Sequence, residues 1–283
     1  METKRVDSIG ADTSEYRDLQ VDLVKQEFRR AKDYSSEYHQ SNTPIAHFFN
    51  TRVKRVSELL SDFKSGNVLD VGCGPAKIGN TFRDRPIKYY GVDISDEMIR
   101  ECKDTFGHDP QFHFSLGRIE ELPFPASYFD VVLCLGAFEY LPKGHIAMRE
   151  IARVLKPKGT IIVSMHNRIS PYRLWFRYGF GKLKNGANKV KRLIIGKRTD
   201  METTASKRLL FRVYGDKAFR QLLAAERLRV EDTVYYDFNV FFVPLDALFP
   251  RASVYLSRKL EFLCRSKLKL IGTGFILKCR KNE

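Results

Sequence analysis

A chain of 283 residues with 43% hydrophobic and 29% charged residues, 18 Gly and 11 Pro has room for one large α/β domain or two small ones, and its composition excludes collagen-like, mostly disordered and disulfide-scaffold proteins. It holds no apolar run long enough for a membrane-spanning helix, and Met1-Glu-Thr-Lys-Arg opens no apolar secretory signal. The net charge of +15 is uneven: residues 1–165 carry 23 Lys/Arg against 24 Asp/Glu, whereas residues 166–283 carry 26 against 10, which points to an anionic partner for the second region.

Residues 1–66 read as a helical cap. Val21, Val24 and Phe28, then Ile45, Phe48, Phe49, Val53, Val56, Leu59 and Leu60 recur at helical spacing, interrupted at 41–44 by Ser-Asn-Thr-Pro. From residue 67 to 167, short apolar runs alternate with helical segments. Strands are predicted at 68–71, 89–93, 112–114, 130–135 and 160–164, and helices near 77–83, 95–105 and 144–155, with a Pro157-Lys-Gly turn feeding the fifth strand. Such alternation implies a parallel sheet covered on both faces. Residues 168–213 break the pattern with a basic, aromatic insertion. Residues 214–283 complete the sheet through a helix near 215–225, a strand over 230–243, a helix over 245–265 and a final strand over 272–279.

The sharpest local signal is Val68-Leu-Asp-Val-Gly-Cys-Gly-Pro-Ala-Lys-Ile-Gly79, a strand, a glycine loop and a helix start. Gly72 and Gly74 allow a tight turn and close approach to a ligand. Asp93, at the end of the second strand, can accept from both hydroxyls of a ribose. A dinucleotide fingerprint needs a small residue at 77, where Lys77 stands. Asp70 would repel a diphosphate but suits the ammonium of an amino acid. A ribose ligand with a cationic amino-acid end and no phosphate is S-adenosylmethionine.

Together with Tyr90-Gly-Val-Asp93-Ile-Ser, Glu121-Leu-Pro-Phe124, Phe129-Asp-Val-Val132 and Leu155-Lys-Pro-Lys-Gly159, this loop makes the chain resemble the class I S-adenosylmethionine-dependent methyltransferases, in full over about 45–165. The resemblance implies a Rossmann-like, doubly wound seven-stranded α/β sheet with the last strand antiparallel. It implies that Asp70, Gly72 and Gly74 line the methionine end and Asp93 holds the ribose. Ile94 and Met98 would flank the adenine, with Ile119 on its other side, and Arg118 and Leu135 complete the cofactor set. Two positions depart from the family: Ala76 replaces a frequent glycine, and Arg118 stands where an aspartate usually accepts from the adenine amino group. Arginine cannot accept a hydrogen bond, which leaves Glu120 or backbone atoms for that role.

The acceptor is expected at the ends of the fourth and fifth strands. His166 is the candidate base because imidazole titrates near neutral pH, and the alternative is a histidine that only holds the loop. Tyr140 is the second catalytic candidate. Glu139, Asn167, Tyr172 and Trp175 are candidate substrate residues, with Tyr34, Tyr38 and His39 of the cap closing over them, although packed aromatics are the competing reading. An Asn/Asp-Pro-Pro-Tyr segment for base-amine methylation is absent, Cys134 lies in an apolar run unsuited to an activated thiolate, and paired carboxylates for a guanidinium are missing. What remains is a small-molecule, hydrophobic or lipid-linked acceptor in specialised, quinone or glycolipid biosynthesis, with no metal expected. RNA methylation and a non-catalytic partner subunit are the alternatives. The five cysteines form no CxxC and are odd in number, so reduced thiols in a cytoplasmic protein are expected.

In the basic insertion, Pro171 suits a helix start, and Tyr172, Trp175 and Phe176 would share one face. The pattern fits either an anionic membrane surface or a lid over the pocket; nucleic acid is the weaker reading, because no RNA-binding module is recognisable.

Overall fold

The alternation after residue 66 closes into one sheet in a computed structural model, which describes residues 14–27, 42–180, 211–212 and 214–283. Strands β1 (Gly66–Val71), β2 (Ile87–Asp93), β3 (Phe112–Leu116), β4 (Phe129–Leu135) and β5 (Leu155–His166) are mutually parallel. With β6 (Leu228–Tyr236) and β7 (Gly274–Lys281) they form a seven-stranded sheet in the order β3-β2-β1-β4-β5-β7-β6. Only β7 runs antiparallel, to both β5 and β6. The chain builds outward from β1 on one side and then crosses to β4 on the other. A crevice is therefore left outside the carboxyl ends of β1 and β4.

The strands are apolar on both faces because helices cover both. Leu69, Val71, Val132, Cys134, Ile161 and Val163 face one layer of the core, with α4 (Gly144–Val154) and α6 (Asp216–Ala225) packed there through Met148, Ile151, Phe219 and Leu223. The alternate residues Val68, Val131, Leu133 and Ile162 face the other layer. There α2 (Pro44–Leu59) contributes Val56 and Leu59, and α3 (Asp96–Phe106) contributes Ile99, Cys102 and Phe106. Both helices start on a conventional cap: Thr43 Oγ1 accepts from Ala46 N with Pro44 in the first turn, and Ser95 Oγ accepts from Met98 N ahead of Asp96 and Glu97. The first helix, α1, spans Ser14–Glu27.

Three expected elements differ. The helix over 77–83 is a single 3₁₀ stretch, Lys77–Phe82, entered from a left-handed Ala76 (φ +49°) and ended by an extended Arg83. The strand over 230–243 runs instead from Leu228 to Tyr236: Asp237 turns left-handed (φ +59°), and its carboxylate is held by the Thr273 hydroxyl, which takes the chain out of the sheet. The helix over 245–265 breaks into α7 (Leu245–Leu248), α8 (Pro250–Leu260) and a 3₁₀ turn at Glu261–Arg265. Pro250 lacks an N–H and drives Phe249 out of helical geometry (φ −126°, ψ 58°). After β5, α5 (Pro171–Leu174) leads into a wider-wound turn to Phe180. No described helix is long and apolar enough to cross a membrane.

Candidate functional site

The crevice is built first by backbone. Gly72 has φ +67°, its N–H donates to Val92 O at 2.7 Å, and a Cβ there would lie 2.3 Å from the Ala137 Cβ. Only glycine lets the loop after β1 sit on the turn after β4. Gly74 differs: it too is left-handed (φ +50°), yet a Cβ would meet nothing within 4 Å, so its missing side chain leaves room for a ligand. Asp93 clasps the loop to the end of β2. Its Oδ2 accepts from Gly74 N at 2.8 Å and its Oδ1 from Ser95 N at 2.9 Å, with the Ile94 N–H also directed at the carboxylate. Burial raises its pKa against the pull of those N–H groups.

The result is an open cleft at the carboxyl edge of the sheet, holding about 850 Å³ of space that is continuous with solvent. The structure brings together on it Gly72, Gly74, Asp93, Ile94, Met98, Arg118, Ile119, Leu135 and Tyr140. Gln20, Val21 and Val24 of α1 close one side, and Glu120 stands beside Arg118. Arg118 and Glu121 pair as an isolated β-bridge, which shapes the loop after β3.

Asp70 lines a smaller pocket of about 400 Å³, which shares Gly72, Gly74 and Leu135 with the cleft. It is 2% exposed; Oδ2 accepts from the Tyr89 hydroxyl at 2.6 Å, whereas Oδ1 is buried without a partner. Burial pushes its pKa up to about 7, although Tyr89 and the Arg52 charge pull it back. Arg52, in the same pocket, was missed by sequence reasoning. Its guanidinium lies over the Phe49 ring at 4.7 Å and against Gly136, and its Nε is buried with no hydrogen-bond partner. A buried carboxylate and a buried guanidinium with unused hydrogen-bonding capacity are costly unless something pairs with them. Side by side, they match the ammonium and carboxylate of an amino-acid end.

At the ends of β4 and β5, Glu139 is completely buried, and its Oε1 accepts from both His166 N (2.7 Å) and His166 Nδ1 (2.6 Å). Burial alone would raise the Glu139 pKa, but His166 and its N–H groups hold it below the ordinary value. Burial, with Arg173 and Arg52 nearby, keeps His166 below its own ordinary value against the pull of Glu139. An ionised Glu139 is acceptor-only, so Nδ1 carries the proton and Nε2 is left as the basic nitrogen. The imidazole stacks on Phe48 (5.2 Å, 5° between planes) and meets Phe211 edge-on at 5.2 Å; Phe211 in turn meets Tyr140 of the cleft at 5.4 Å. This aromatic wall continues the cleft toward His166, which is not itself part of the cleft lining.

Other expected substrate residues stand elsewhere. Asn167 is buried, donating to Leu270 O and Gly272 O and accepting from Ile169 N, so it anchors the loop after β5. Tyr172 donates its hydroxyl to Asp246 and Trp175 donates Nε1 to Val243 O, which turns both toward the insertion after β6 and away from the cleft. Tyr34, Tyr38 and His39 lie outside the described residues, as does the basic run 182–198. Among the described residues no group of three or more His, Cys, Asp and Glu could hold a metal ion, and Cys73, Cys102, Cys134 and Cys279 are buried free thiols.

Residues 69–163 match a family model described as a methyltransferase domain. The chain is 33% identical over 103 residues to the fatty-acid O-methyltransferase of Mycolicibacterium smegmatis, covering 35% of this chain and 36% of that protein. It is 34% identical over 104 residues to the ubiquinone biosynthesis O-methyltransferase of Idiomarina loihiensis, covering 36% and 42%. The chain thus spans about half or less of the length of the curated relatives it matches. Its fold is shared with the Burkholderia thailandensis 1,6-didemethyltoxoflavin-N1-methyltransferase solved with bound S-adenosylhomocysteine (TM-score 0.56, 15% identity, 95% of this chain and 90% of that one). The sheet order, with its antiparallel last strand, agrees with the glycine loop and the matched domain. Residues 69–163 thus form a methyltransferase domain, with the fold of the class I S-adenosylmethionine-dependent enzymes.

Proposed function

We propose that the chain methylates a hydrophobic small-molecule or lipid-linked acceptor, at oxygen, nitrogen or an activated carbon, in specialised, quinone or glycolipid biosynthesis. The observation that carries the methyl-transfer half of this reading is that Asp70 and Arg52, each with an unsatisfied buried polar atom, line one pocket that opens onto the cleft holding Asp93. When bound, the cofactor supplies a methyl group on a positively charged sulfur. Asp93 accepts from its ribose hydroxyls, Asp70 from its ammonium, and Arg52 donates to its carboxylate. Ile94, Met98 and Ile119 enclose the adenine, and Glu120 accepts from the amino group that Arg118 cannot serve.

His166 removes the acceptor proton through Nε2, while Glu139 fixes the tautomer through Nδ1. Phe48 and Phe211 pack on the His166 imidazole, and Tyr140 links Phe211 to the cleft. Relatives named for fatty-acid and ubiquinone-pathway O-methylation, and the apolar lining from Val21 and Val24 to Leu141 and Pro142, support a hydrophobic acceptor.

The test is a pair of variants. Asp93→Ala is expected to weaken S-adenosylmethionine binding by about 1–3 kcal/mol in calorimetry, the scale of charged hydrogen bonds. With a hydroxylated acceptor, His166→Ala is expected to lower turnover about 10²–10⁴-fold and leave cofactor affinity unchanged. Unchanged binding in the first variant, or full turnover in the second, would overturn the corresponding assignment.

A further inference from the structure

We propose that the carboxyl edge of the sheet carries a docking face for an anionic lipid bilayer, assembled from two segments distant in sequence: the one after β5 and the insertion after β6. Strands β5 and β6 end level with each other, because His166 pairs with Gly274 and Gly274 with Tyr236. Both following segments therefore emerge at the edge where the cleft opens. They are joined side to side. Trp175 Nε1 donates to Val243 O at 2.7 Å, the indole stacks on Phe242 at 6.1 Å, and the Tyr172 hydroxyl donates to Asp246 Oδ2 at 2.5 Å.

The joined surface exposes large apolar side chains. Leu248 is 66% and Phe249 57% exposed, with Leu174, Phe176 and Leu245 also exposed. Single exposed apolar residues are ordinary, but a contiguous group marks an interaction surface. Its charge selects the partner. Residues 167–180 and 238–260 hold six Lys/Arg and a single acid; of these cations Arg168, Arg251, Arg258 and Lys259 are exposed, whereas Arg173 turns inward toward Glu139. That acid, Asp246, is buried under Tyr172 and shows nothing negative to an approaching surface.

Behind the Leu248–Phe249 tip, α8 turns Ser253, Val254 and Ser257 inward and Arg251, Tyr255, Arg258 and Lys259 outward, with Lys259 Nζ 5.6 Å from the Tyr255 ring centroid. An apolar tip ringed by a tyrosine and cationic side chains has the chemistry of the zone between lipid tails and anionic headgroups. Nucleic acid would stack on the aromatics but offers nothing to Leu174, Leu245 and Leu248. Docked this way, the cleft mouth would face an acceptor dissolved in the bilayer; that consequence rests on the methyl-transfer reading, whereas the docking does not.

The experiment uses the full chain with vesicles of phosphatidylcholine mixed with phosphatidylglycerol, and with pure phosphatidylcholine as control. Sedimentation is expected only with the anionic vesicles, weakening as salt rises. Leu248→Glu/Phe249→Glu, made at exposed positions, is expected to weaken it by about tenfold or more. Trp175 fluorescence is expected to be quenched by brominated lipid. The proposal is overturned if the wild-type chain ignores anionic vesicles at low salt, if the double variant binds them as the wild type does, if Trp175 is unquenched, or if an RNA oligonucleotide is retained where vesicles are not. Calorimetry with S-adenosylmethionine on the same proteins separates the two readings: cofactor binding without docking overturns the docking alone, and docking without cofactor binding overturns the methyl-transfer reading alone.

Discussion

Asp70 shows a single side chain placed against the interest of folding. Its carboxyl is raised to about 7 by burial. The folded state therefore favours the protonated form, and that preference stabilises the fold fully below the ordinary carboxyl range near 3.8 and is lost as pH rises through about 7. Asp70→Asn keeps an acceptor for the Tyr89 hydroxyl and removes the charge. We expect it to leave stability nearly unchanged in acid and to raise it above pH 7 by about 1–3 kcal/mol, the scale of an uncompensated buried polar group. S-adenosylmethionine binding should be lost at the same time, a trade of stability against function. Urea unfolding at two pH values, with calorimetry alongside, checks both halves; equal stability gains at both pH values would refute the assignment. His47 is shifted in the opposite sense: burial and the Arg258 charge lower it to about 4, and as a neutral imidazole it bonds Thr51 and Ser257, tying α2 to α8.

The cofactor loop and α2 divide the work between shape and chemistry. Gly72 and Gly74 are both left-handed, but one abuts Ala137 and the other faces open space. Gly72→Ala should destabilise the fold by about 1–3 kcal/mol, because strain and a clash fall on the same residue. Gly74→Ala should carry only the backbone strain, about 1 kcal/mol, yet block the ligand. Thermal melts without cofactor and calorimetry with it should separate the two variants, and equal losses in both measurements would contradict this division. Along α2, Phe48, Arg52 and Val56 lie four residues apart on one helical face. Val56 packs in the core, Arg52 reaches the Asp70 pocket and Phe48 stacks on His166. One helix thereby joins the core to both halves of the site.

Across the whole molecule, the functional groups collect at one edge of the sheet, where parallel strands end and the chain reverses between β1 and β4. The cleft there is closed on one side by Gln20, Val21 and Val24 of α1. A ligand that fills the cleft should therefore slow opening of that helix. Amide hydrogen exchange over Ser14–Glu27 is expected to slow on adding S-adenosylmethionine, while exchange over Lys269–Ile271, outside the cleft lining, stays as it was. Unchanged exchange in α1 at saturating cofactor would show that the helix plays no part in binding.

Much of this was legible without coordinates, for reasons that are local. Apolar runs and turn residues mark the five parallel strands; the glycines at 72 and 74 mark a tight loop; and Asp93 stands at the strand end where its carboxylate clasps that loop. Pro250 carried its own warning, and the unbroken helix expected over 245–265 was a misreading of it. Other features depended on distance. Arg52 belongs to an amphipathic helix, where a charge ordinarily faces water, and only packing against the crevice turns it inward. Glu139 and His166 are 27 residues apart in sequence, and only the adjacency of β4 and β5 makes them partners. The end of β6 was set by Asp237 turning left-handed beneath Thr273, a contact across 36 residues. Periodicity reports which face of an element is buried, because that depends on neighbours three or four positions away; sheet order and register decide which buried polar groups meet, and those are properties of the closed tertiary structure alone.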